Sequence, residues 1–177
     1  MDKKYAAQEA IEHSMMGNLG LKLIEEREGF VRASMAVNDN TSQPFGVWCG
    51  GASLAFAEII AGYGSYLSCP EGFIPVGCAV SGHHVSSVRK APGVLVYAEA
   101  AALHLGRTTH LWNVDVKTEN GRLVATVRGT NYIVKDKSDT WKEENKKGGR
   151  PKSSSPKEIP RAPTASAGTC LNPRRVR

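Results

Sequence analysis

Gln43-Pro-Phe-Gly-Val-Trp-Cys-Gly-Gly-Ala-Ser-Leu-Ala-Phe-Ala-Glu58, continued by Ile59-Ile-Ala-Gly-Tyr-Gly-Ser-Tyr-Leu67, is the stretch on which the fold turns. It opens as a Pro/Gly loop and turns at Gly50-Gly51. From Ala52 to Leu67 it is nearly all apolar over a helical length. Its one charge is Glu58. A helix that is apolar on every side belongs inside its domain. A carboxylate buried there is costly unless it has a partner or a task. Glu58 is therefore the first candidate for a catalytic group.

On the N-terminal side, Ala6 to Met16 reads as a short helix followed by a turn at Gly17-Asn18. Leu19 to Glu26 and Phe30 to Val37 read as strands meeting at Glu28-Gly29. In the second, Val31, Ala33, Met35 and Val37 alternate with Arg32, Ser34 and Ala36, the period of a strand with one buried face. Asn38 to Gly46 is loop chemistry with a fixed-φ proline. The apolar helix stops near Cys69-Pro70-Glu71-Gly72. Gly62 and Gly64 inside it each cost roughly 1 kcal/mol against alanine, which points to another backbone approaching closely. Ile74 to Lys90 then reads as one long or bulged strand, with Val94 to Leu105 and Thr109 to Glu119 as two more. Asn120-Gly121 is a tight hairpin signal leading into Arg122 to Val134. Two strands, one apolar helix and four strands make an α+β domain whose antiparallel sheet packs on that helix.

The net charge of +6 is unevenly placed. Residues 1–134 hold 11 lysines and arginines against 12 acids, a net of −1, while residues 135–177 hold 12 against 5, a net of +7. The basic segment lacks apolar periodicity and reads as a disordered, low-complexity tail after a domain of residues 1–134. It has no interleaved aromatic residues for stacking bases, so nucleic acid is not the expected partner. No apolar run reaches the roughly 18–20 residues of a membrane span, and no apolar leader follows Met1-Asp-Lys-Lys-Tyr. Cysteines 49, 69, 78 and 170 show no Cys-x-x-Cys spacing, which suits reduced thiols in a cytoplasmic protein and not a zinc site.

The two ends of the central stretch offer different chemistry. Gly50-Gly51 leaves backbone N–H groups open at the positive end of a helix, where a developing oxyanion or a phosphate is stabilised. Glu58 lies eight residues on, roughly 12 Å along the axis at ~1.5 Å per residue. A base and an oxyanion hole serving one carbonyl must both come within about 3 Å of the reacting atoms. One straight helix cannot arrange that. Either the two ends serve different things, or Glu58 of one subunit works with Gly50 of another.

Gln43-Pro-Phe-Gly, Gly50-Gly51-Ala-Ser, Ala57-Glu58, His84-Val85 and Leu103-His104-Leu105-Gly106-Arg107, in this order and spacing, resemble the hotdog-fold acyl-CoA thioesterases. The likeness is to their phenylacetate-type (PaaI-like) branch and covers about residues 8–134. It implies a sheet wrapped around the central helix, homodimers pairing into homotetramers, and active sites at subunit interfaces. It implies an acyl-CoA substrate, an aromatic acyl group such as that of menaquinone biosynthesis being among those the branch accepts, with no cofactor beyond the coenzyme A of the substrate and no metal. Matched by position, Glu58 is the family carboxylate, a general base on water or a nucleophile on the thioester carbon. Gly50 is the helix-terminal glycine whose N–H polarises the carbonyl, with Gly51 beside it, and Gln43 sits near that carbonyl or the leaving sulfur. His84 lines the pocket, Gly106 and Arg107 fall where coenzyme A is contacted, and Arg89 is a further phosphate candidate. Two positions depart from the branch: Cys49 stands where histidine is typical, and Gly62 where serine or threonine is common.

Plainer readings stand beside these. Glu58 could be a structural acid paired with His84 or an arginine. Cys49 could be a packed thiol or a nucleophile of lowered pKa. His83 and His84 point to opposite faces of a strand, and His104 and His110 suit ordinary strand positions. Arg89, Lys90 and Arg107 could be a solvated sheet edge. A hotdog hydratase or dehydratase and a non-catalytic acyl-thioester binding protein remain the alternatives to hydrolysis.

Overall fold

The computed structural model describes residues 11–137. The basic tail from residue 138 onwards lies outside them, as does the first half of the expected Ala6–Met16 helix. Within the described part of that helix the backbone breaks at His13-Ser14. The Ser14 hydroxyl then caps a separate short helix, α1 (Met15–Asn18), by accepting from the Met16 N–H at 3.1 Å.

Six strands follow in one antiparallel sheet: β1 (Lys22–Arg27), β2 (Phe30–Ala36), β3 (Phe73–His84), β4 (Leu95–Leu105), β5 (Thr109–Thr118) and β6 (Leu123–Lys135). Their spatial order is β1-β2-β4-β5-β6-β3. The helix α2 (Gly50–Ser68) connects β2 to β3, which lie well apart in the sheet, and so has to cross its face. It touches all six strands. This is a sheet wrapped around one helix, the hotdog architecture.

The sheet presents its inner face by strict alternation. His110, Trp112, Val114 and Val116 of β5 are buried, while the residues between them are half-exposed. Where α2 passes closest, the wall is made of small residues, Ala33, Ala98, Ala100 and Ala125, all with no exposed surface. Gly129 belongs to the same wall, since a Cβ there would lie 3.2 Å from the Ala61 methyl. Phe56 and Ile60 fill the space above it and are fully buried. Each such side chain contributes roughly 1.5–3 kcal/mol by leaving water.

Three details differ from the expectations above. The helix begins at Gly50, with Cys49 as its N-cap, so Gly50-Gly51 forms its first turn instead of preceding it. The long third strand ends at His84. Beyond it, residues 85–90 turn back over the loop before α2, where the Val88 carbonyl accepts from the Trp48 N–H at 2.8 Å and the Gly46 carbonyl from the Lys90 N–H at 3.0 Å. Gly64 does not face another backbone: a Cβ there would lie 2.6 Å from the Trp112 ring. Gly62, by contrast, has nothing within 4 Å of that position.

Trp112 is thus clamped between helix and sheet, with its indole N–H donating to the buried Ser65 hydroxyl at 2.8 Å. Gly64→Ala forces this rigid ring to move and should cost about 1–3 kcal/mol, seen as a lower midpoint in thermal denaturation. Gly62→Ala should leave the midpoint unchanged or raise it, since it relieves the glycine cost without a collision.

Candidate active site

The loop before α2 is a small hairpin. Gln43 opens a turn whose second residue is Pro44, and the Gly46 N–H donates back to the Gln43 carbonyl at 2.9 Å. Gly46 takes a positive φ of 78°, the left-handed conformation that closes such a hairpin with a bulge. The Gln43 N–H donates to the Val47 carbonyl at 2.7 Å, and the Cys49 N–H to the Thr41 carbonyl at 3.0 Å. The Trp48 indole N–H donates to the buried Ser53 hydroxyl at 2.5 Å, pinning the loop to the first turn of α2. At that turn, Ala52 and Ser53 direct their N–H groups onto the Cys49 carbonyl, and no side chain caps the helix.

Against this helix start lies His84, the last residue of β3. A Cβ on Gly50 would fall 2.7 Å from its Nε2 atom, so only glycine lets the ring lie over the backbone there. Gln43, Gly50 and His84 line one depression of about 330 Å³, with Trp48 and Val124 in its wall. Arg89 is nearby, bridging Val47 through the backbone. Gly51 is exposed at the same end.

Glu58 is elsewhere. It is exposed, not buried as the apolar helix led one to expect, because the face of α2 carrying Glu58, Ile59 and Gly62 is not covered by the sheet. It opens into a second depression of about 370 Å³ lined also by Met15 and Met16 of the N-terminal segment, Gly77 of β3 and Asn131 of β6. Gly77 and Asn131 are register partners beside a bulge in β3. A Cβ on Gly77 would lie 2.7 Å from Glu58 Oε1. Neither Gly77 nor Asn131 is singled out by any local sequence pattern. Only the pairing of β3 with β6 brings them to the carboxylate.

His110 pairs with Asn131 from the other side, on β5. It is buried, and desolvation pushes its pKa below the ordinary imidazole value. A backbone hydrogen bond with Gly106 opposes this shift, and the charge of nearby His104 adds to it. Gly106 and the exposed Arg107 form the β4–β5 turn at the far end of the sheet. The structure therefore gathers Gln43, Gly50 and His84 around the helix start, with Gly51 and Arg89 beside them. It leaves Glu58 in a separate depression and Gly106 and Arg107 on a hairpin of their own. Among the described residues no group of three His, Cys, Asp or Glu side chains is gathered to hold a metal, and no helix is long and apolar enough to cross a membrane.

The profile of the Thioesterase superfamily matches residues 45–125. The chain is 35% identical over 124 residues to the 1,4-dihydroxy-2-naphthoyl-CoA hydrolase of Escherichia coli, covering 70% of this chain and 88% of that one. It is 35% identical over 117 residues to the proofreading thioesterase EntH of Klebsiella pneumoniae, covering 66% and 83% respectively. A crystal structure of a thioesterase from Haemophilus influenzae superposes with a TM-score of 0.68, at 32% identity over 75% of this chain and 94% of that one. The chain belongs to the thioesterase superfamily and has its hotdog fold. It is a hydrolase of thioesters.

Gly77→Ala tests how closely β3 constrains the carboxylate. The added methyl would collide with the far end of the Glu58 side chain, 2.7 Å from Oε1, and lie in ordinary contact with Asn131 Oδ1 at 3.9 Å, so thermal stability should change little while thioester hydrolysis falls by roughly tenfold or more through misplacement. Unchanged turnover in a steady-state thiol-release assay would show that Glu58 need not sit where it does.

Proposed function

We propose that the chain hydrolyses an acyl-CoA thioester at a site built from two copies, with Glu58 of one copy facing Gln43 and Gly50 of the other. The observation that carries this reading is the separation of the two depressions on one helix. The Gly50 N–H polarises the thioester carbonyl at the positive end of α2, with Gln43 beside the carbonyl or the leaving sulfur. Glu58 takes a proton from water as the water oxygen bonds to the carbonyl carbon. The carbon–sulfur bond then breaks, and Glu58 returns the proton to the thiolate, giving free acid and coenzyme A. Direct attack by Glu58 through a mixed anhydride uses the same groups in another order.

The free edge of β3 supports the pairing. It is the last strand of the sheet, 12 residues long, and from Phe73 to Gly82 it carries no charged side chain. Such an edge is a template for another strand unless something guards it. If two copies pair antiparallel about Val80 and Ser81, Gly77 lies opposite the partner's His84. Glu58 packs on Gly77 and Gly50 on His84, so this register brings each carboxylate to the other copy's helix start. Arg89 and Arg107, neither in an ion pair among the described residues, are then candidates for the coenzyme A phosphates, with His84 and Gly106 lining the approach.

The acyl group is aromatic in this proposal, on the likeness to the naphthoyl-CoA hydrolase and to the PaaI-like branch. Menaquinone biosynthesis, a cytoplasmic location and a homodimer or homotetramer go with that reading. No metal or further cofactor takes part. A thiol-release assay across benzoyl-, naphthoyl- and fatty-acyl-CoA should show the highest kcat/KM with an aromatic group. Glu58→Ala and Glu58→Gln should each lower kcat by about 10²–10⁴-fold. Full rate in Glu58→Gln would sink the mechanism, and preference for long aliphatic chains would sink the substrate class.

A further inference from the structure

Asn131 is an unusual residue for its place. The inner positions of β6 around it, Val124, Val127 and Ile133, are apolar, yet this amide is 3% exposed beneath α2. A buried amide is costly unless both its ends are engaged. Its Nδ2 donates to the Ser65 hydroxyl at 3.1 Å, and the same hydroxyl accepts from the Trp112 indole, which can only donate. Ser65 and Trp112 are both fully buried, so the amide is anchored from behind by rigid groups. Its Oδ1 is turned the other way, toward the Glu58 depression that Asn131 helps to line. The position a Cβ on Gly77 would take lies 2.7 Å from Glu58 Oε1 and 3.9 Å from Asn131 Oδ1. Two acceptor oxygens thus flank the same spot at the sheet wall, Glu58 Oε1 close to it and Asn131 Oδ1 farther back.

We propose that Asn131 is a positioning residue for the attacking water. The inference rests on the Glu58 reading above. A water beside Gly77 donates one hydrogen to Glu58 and the other to Asn131 Oδ1. With both hydrogens held, its lone pair faces the thioester carbon. An amide oxygen does not take up a proton at neutral pH, so the proton that leaves goes to Glu58, and Asn131 fixes only orientation. The chain Trp112–Ser65–Asn131 makes this a preorganised contact, and it acts through the water without touching the acyl group. Gly62, one turn after Glu58 on the same depression, offers no side chain for the task, which leaves Asn131 as the neutral polar side chain deepest in this wall.

The test is steady-state thiol release from benzoyl-CoA by the full-length chain, alongside Glu58→Gln. Asn131→Ala should lower kcat by roughly 10–100-fold with KM within about twofold, the signature of orientation rather than substrate binding. Asn131→Asp keeps the shape but sets a second carboxylate beside Glu58. The pair then shares a proton, and the acidic limb of the kcat/KM profile should move up by about one pH unit or more. Native kcat in Asn131→Ala, or a loss carried wholly by KM, overturns the proposal. If Asn131→Ala does not fold, Asn131→Asp decides, and an unmoved acidic limb overturns it. Failure of Asn131 alone leaves Glu58 in place, whereas full activity in Glu58→Gln removes the reading on which both depend.

Discussion

A straight helix cannot bring its own start to its own middle. α2 runs for 19 residues, about 28 Å at 1.5 Å per residue, and the chain places Gly50 at one end and the Glu58 carboxylate eight residues on. Everything useful about the site follows from that separation. The sheet wraps one side of α2 and leaves the Glu58 side uncovered. The Gln43 hairpin, His84 and the residues 85–90 crowd the helix start, and none reaches the carboxylate. A single chain holds Glu58 and the Gln43–Gly50 helix start in two separate depressions.

Trp112 ties α2 to the sheet. The indole presses on Gly64 and donates to Ser65, while alanines on β2, β4 and β6 let the helix sit low against the sheet. The same Ser65 that satisfies Trp112 holds the Asn131 amide. Core packing and the orientation of a polar group in the Glu58 depression are therefore one network. Substitutions deep in the core at Trp112 or Ser65 reach the site through it.

Much of this was legible from residue order. The α+β plan, the central helix and the Asn120-Gly121 turn follow from periodicity and turn chemistry, and the family from the resemblance carried by the Gln43, Gly50-Gly51 and Glu58 motifs. The exposure of Glu58 was not, because an apolar helix implies burial without saying whether its own chain or another copy supplies the cover. Gly62 and Gly64 look equivalent in sequence, yet one meets an indole ring and the other meets open space. Gly77 and Asn131 stand 54 residues apart and become neighbours only through the β3–β6 register, which a bulge shifts beside them. No local pattern encodes such a pair.

The most direct test of the account is subunit complementation. A chain carrying Gln43→Ala and Gly50→Ala loses the helix-start half of the site, and a chain carrying Glu58→Ala loses the other. Co-expressed at equal levels with separate tags, the two inactive chains should recover about a quarter of native thiol release, since half the dimers are mixed and each mixed dimer holds one intact site. A mixture no more active than its parents, with mixed dimers present by tandem purification, would contradict a site shared between two copies.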